Sequence, residues 1–283
     1  MSIWKKIESI DRRWVYLLVA IAVVIPKIFP PDIEISVTEN SQKLFDAVEA
    51  VPDSSVVMLV LDYYPSTVAE CEPMSIAALH HFFRKNCRII TLTNIPQGVT
   101  LAETVTRRIA KEYDREYGVD FVNLGYKANY IAVLSGMGTS IVSIFPSDNS
   151  GMPLSKIPLM DSVKNYDDIT FIFEVADNAT ADYWVSIVNA RYGVPMVCGA
   201  TAVMAPKFYA FVDAGQYLGL LGGMKGAAEY EKLLEYETIL GITGNATKGM
   251  GAQSLVHLLI VFLILIGNVG YFVQRREEGK IRQ

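Results

Sequence analysis

The sequence predicts an α/β fold: a doubly wound, mostly parallel sheet of about five strands with helices on both faces, flanked by one transmembrane helix at each end. Three observations predict it. Apolar runs rich in β-branched residues recur along the middle of the chain, stretches of helical length separate them, and two long apolar segments close off the ends. Those end segments lift the mean hydropathy to +0.28, high for a water-soluble chain of 283 residues.

The first apolar segment, "WVYLLVAIAVVIPKIF" (Trp14–Phe29), carries one charge, Lys27. It reads as an uncleaved anchor over 14–30, because the following "PKIFPPDIE" lacks the small-residue pattern of a signal-peptide cleavage site. A helix follows, with Ser41 as N-cap and Leu44, Phe45 and Val48 at helical spacing.

From there the rhythm alternates. Strands are expected at 56–61, 88–93, 120–124, 169–175 and 195–200, and helices at 73–85, 100–117, 128–143, 180–192 and 206–238. Most strand cores are apolar without strict alternation, as when both faces of a sheet are covered. Helices between such strands imply right-handed crossovers and parallel pairing. The segment 145–158, "FPSDNSGMPLSKIP", breaks the rhythm and reads as a surface excursion or lid. Gly-rich 241–253 reads as a tether, and 254–273, around the uncharged "LVHLLIVFLILIGNVGYFV", as a second anchor ending at the basic tail 274–283.

Lys5, Lys6, Arg12 and Arg13 precede the first anchor, and Arg275, Arg276, Lys280 and Arg282 follow the second. The positive-inside rule places 1–13 and 274–283 in the cytoplasm and the domain 31–240 outside it. Residues 31–252 hold 16 Lys+Arg against 26 Asp+Glu. So acidic a body argues against a nucleic-acid partner and suits one held off anionic headgroups.

In a doubly wound sheet, ligands sit beyond the carboxyl ends of the strands. Asp62, Tyr64, Ser66, Asn94, Asn123, Lys127, Glu174, Asp177 and Thr201 should gather there as a polar pocket; as strand-end residues they also serve local turns and caps. Asp62 stands out, since a carboxylate directly after a buried strand needs a partner. No metal site or cofactor is called for. Histidine occurs only at 80, 81 and 257, and Cys71, Cys87 and Cys198 show no CxxC spacing. "LSGMGTS" (134–140) lacks the trailing glycine of a dinucleotide loop and the Lys-Ser/Thr of a P-loop.

The stretch 215–237 sets Gly219, Gly222, Gly223 and Gly226 along or beside one helical stripe, suited to close packing against the sheet or another subunit. Its alternative is a helix start presenting loop N–H groups beside Lys225. The sequence therefore ranks three functions. First comes a non-enzymatic membrane-anchored subunit of a larger, homo-oligomeric assembly, whose partners are the bilayer, itself or other membrane subunits. Second is an extracytoplasmic receptor for a small molecule, and third a membrane-bound hydrolase using Ser135 with a lysine, or carboxylates.

Overall fold

The computed structural model describes residues 11–29, 31, 34–241 and 243–281. Lys5, Lys6 and Arg282, used in the charge reading, lie outside them. The chain forms two units: Ile35–Ala246, and a second made of Met1–Glu34 with Thr247–Gln283.

The first unit is the α/β head. Helix α2 (Glu39–Glu49) leads into β1 (Val56–Asp62), followed by α3 (Val68–Arg84), β2 (Arg88–Thr93), α4 (Val99–Glu112) and β3 (Phe121–Tyr126). After α5 (Tyr130–Met137), α6 (Ile141–Ile144) and an irregular stretch come β4 (Phe171–Ala176), α7 (Thr180–Tyr183), a π-helical segment (Trp184–Asn189) and α8 (Ala190–Tyr192). Strand β5 (Met196–Ala200), α9 (Ala205–Asp213), β6 (Leu220–Gly222) and α10 (Gly223–Leu233) complete the sheet and its cover. The strands are parallel in the order β3-β2-β1-β4-β5-β6, the arrangement of Rossmann-like folds. Strand β1 is buried along its whole length, so its apolar run needs no polar alternation.

Where the structure departs from the sequence reading, glycine and side-chain capping explain most of it. The expected helix 206–238 is three elements, and its middle supplies a sixth strand. Leu220 and Leu221 are buried at the sheet edge, and Gly223, at φ +60°, turns the chain from β6 into α10. The expected helix 128–143 divides at Gly138, and Ser140 caps α6 by accepting from the Ser143 N–H at 3.2 Å. Thr38, not Ser41, stands at the N-cap of α2, and Ser41 is buried inside its first turn.

Segment 145–158 is no lid. Leu154 and Ile157 are fully buried in the core, and Asp148 knots the loop by accepting from the N–H groups of Ser150 and Met152 and from the Tyr117 hydroxyl. Burial works to raise the Asp148 pKa, but these hydrogen bonds hold it below the ordinary value.

In the second unit, α1 (Arg12–Ile28) is capped by Asp11, whose carboxylate accepts from the Arg13 N–H at 2.9 Å. Helix α11 runs from Asn245 to Ile281, so residues 245–253, expected as tether, are helical in spite of Gly249 and Gly251, as a continuation of the long apolar run that follows them. Within it, Asn245–Val273 is long and apolar enough to cross a membrane, and only 6% of its most apolar stretch is buried. A second span is not shown. Helix α1 has 17 residues, about 26 Å at ~1.5 Å per residue, against a hydrocarbon slab of ~30 Å.

Candidate functional site

The carboxyl edge of the sheet is where the topology reverses, between β1 and β4. Asp62 ends β1 there, fully buried. Its Oδ1 accepts from the Asn94 N–H at 2.6 Å and the Thr93 hydroxyl at 3.3 Å, and its Oδ2 from Asn94 Nδ2 at 2.8 Å and Trp184 Nε1 at 3.4 Å. Burial pushes its pKa up, and the donors from Asn94 pull it back.

Asp177, just beyond β4, binds the opposite loop. Its Oδ2 accepts from the Tyr64 N–H at 2.7 Å and the Thr67 hydroxyl at 2.5 Å, while Asn178 Nδ2 donates to the Asp62 carbonyl at 2.9 Å. The crevice at the switch point is thus stitched shut by the chain's own carboxylate. In a dinucleotide-binding fold the first strand-to-helix turn is glycine-rich so that a pyrophosphate can approach. Here that turn is "YYPST".

Glu174 lies two residues below the level of Asp62 on the neighbouring strand, since Val60 pairs with Glu174 and Asp62 with Ala176. It is fully buried, and its Oε2 is 2.8 Å from the Tyr217 hydroxyl. That hydroxyl is also 3.2 Å from the Ala181 carbonyl, which can only accept. A phenol has one proton, so both contacts are hydrogen bonds when Glu174 is the neutral acid, donating to Tyr217 while Tyr217 donates to Ala181. Burial, then the neighbouring Asp62, pushes the Glu174 pKa well above the ordinary value, in agreement. Its second oxygen, Oε1, has no hydrogen-bond partner, nor has the buried Oδ1 of Asp182.

Asp62, Tyr64, Asn94, Glu174 and Asp177 are therefore gathered at one edge of the sheet, and Ser66 is exposed in the loop beside them. The others stand apart. Asn123 is buried, donates to Glu103 and accepts from the Gly125 N–H. Lys127 donates to the Ile144 carbonyl, and the Thr201 carbonyl starts α9 by accepting from the Met204 and Ala205 N–H groups. Sequence reasoning missed Trp184 and Tyr217, which complete the cluster. Among the described residues the Ser135 hydroxyl has no hydrogen bond to a base, and its carbonyl accepts from Tyr192.

The glycines of 219–226 meet their own chain. A Cβ at Gly219 would collide with the Leu44 backbone, and one at Gly226 would stand 2.9 Å from the Leu221 backbone. His80 and His81 are buried separately. His81 lies between the Tyr230 hydroxyl at 2.7 Å and Glu49 at 2.8 Å, and burial lowers its pKa to about 4. Among the described residues no group of three His, Cys, Asp or Glu is arranged to hold a metal ion. Comparisons with protein-family models, curated proteins and solved structures gave no match.

Proposed function

We propose that this protein is a non-enzymatic, membrane-anchored subunit of a homo-oligomeric assembly, with its α/β head outside the cytoplasm. In this reading α1 and α11 both enter the bilayer and both termini are cytoplasmic, as the basic flanks favour. The observation that carries it is the state of the carboxyl edge. The groups best placed for chemistry are spent on the chain itself: Asp62 on Asn94, Thr93 and Trp184, and Asp177 on the loop that would have to open for a ligand.

The test is the native mass of the full chain in lipid nanodiscs or mild detergent. An oligomer at low micromolar concentration is expected; a strict monomer sinks the proposal.

A further inference from the structure

We propose that α11 joins two copies of this chain side by side in the bilayer, through a face centred on Asn268. This rests on the membrane-anchored reading above and names the surface that assembles.

Half-buried residues recur along α11 every three or four positions, at Val256, Leu259, Leu263, Ile266, Gly270 and Val273. They form the less exposed stripe of the helix. At that helix's start, Gly251 leaves room for Pro31 and Pro26, the former 2.7 Å from where a Cβ would be. Roughly 150° around the helix runs a second stripe: His257, Ile264, Asn268, Tyr271 and Arg275. Every one of these is exposed, and the space around Gly267 beside them is open.

Depth decides what this second stripe needs. Arg275 and Arg276 mark the end of the apolar run, and Asn268 lies seven residues inside it, roughly 10 Å along the axis. His257 sits near the other interface, where water can reach it. Asn268 is too short to snorkel, and its side chain makes no hydrogen bond among the described residues. A carboxamide facing hydrocarbon forfeits its hydrogen bonds to water and gets nothing back, so polar residues in such helices turn toward a partner.

A second copy supplies that partner by its own chemistry. A carboxamide carries a donor and an acceptor, and every copy crosses the bilayer in the same direction. A two-fold axis along the membrane normal therefore brings Asn268 onto Asn268, each NH₂ to the other's oxygen. Gly267 lets the backbones approach.

Single cysteines placed in the full chain in membrane vesicles test this, because Cys71, Cys87 and Cys198 are buried. Mild oxidation is expected to give disulfide dimers with Ile264→Cys and Tyr271→Cys and far less with Leu263→Cys and Ile266→Cys. Asn268→Leu is expected to weaken association, read by energy transfer between labelled copies, about three- to tenfold. Equal cross-linking from both faces, or unchanged association in Asn268→Leu, overturns the inference. If nanodisc masses still show an oligomer while neither cysteine on the Asn268 face cross-links, this interface falls and the assembly reading survives. A strict monomer removes both.

Discussion

Burying a carboxyl group at the end of a hydrophobic strand can be resolved in two ways, and neighbouring residues here use both. Asp62 gathers four donors that offset part of the cost of its burial, whereas Glu174 has Tyr217 alone and, as the neutral acid, donates to it. The second solution has a pH dependence whose sign can be worked out. With its folded-state pKa above the ordinary 4.5, Glu174 holds a proton that the unfolded chain releases. Stability from this group is full below pH ~4.5 and drains away as pH rises toward the folded value. Glu174→Gln, an uncharged isostere, should therefore melt higher than the natural protein at pH 8 and match it at pH 4. Thermal unfolding followed by circular dichroism at the two pH values checks this; a variant that melts lower at pH 8 would show that Glu174 is ionised in the folded head.

At the scale of elements, the strands were legible and the glycine-rich stretch was not. Strands β1 to β5 announce themselves because burial on both faces leaves mostly apolar residues in each run, without polar alternation. In "YLGLLGG" the same apolar signal is confined to three residues, Leu220–Gly222, too short to be told from one turn of helix. What identifies β6 is tertiary: it pairs with β5, and Gly219 lets α2 pass against the chain just before it. The site follows suit. Asp62, Asn94 and Asp177 were legible from the rule that strand ends carry polar groups, while Trp184 and Tyr217 come from elements whose course only the fold reveals. Gly219→Ala should destabilise the head by about 1–3 kcal/mol, because its Cβ meets the Leu44 backbone, which cannot swing aside as a side chain would. Urea unfolding would measure it, and a change below the precision of that method would mean that α2 sits more loosely than described.

Considered whole, the head receives and releases the chain on one helix. Lys232 donates to the Ile35 carbonyl at 2.6 Å, the Thr38 hydroxyl donates to Glu229 at 2.6 Å, and Glu231 accepts from the Ala246 N–H at 3.0 Å. Because α10 follows β6 and runs back along the sheet, its last turns lie at the amino ends of the strands, opposite the Asp62 edge. Entry and exit thus share one end of the head, which is compatible with the proposed insertion between two membrane helices. The geometry makes the topology testable with one reagent. Val203, in the loop after β5, is 85% exposed at the far edge, and the native thiols are buried. A membrane-impermeant maleimide added to intact cells should label Val203→Cys and leave Gln283→Cys untouched until the membrane is broken. Labelling of Gln283→Cys in intact cells would put the tail outside, leaving one crossing or a reversed orientation, and the basic flanks would then have to be explained without the positive-inside rule.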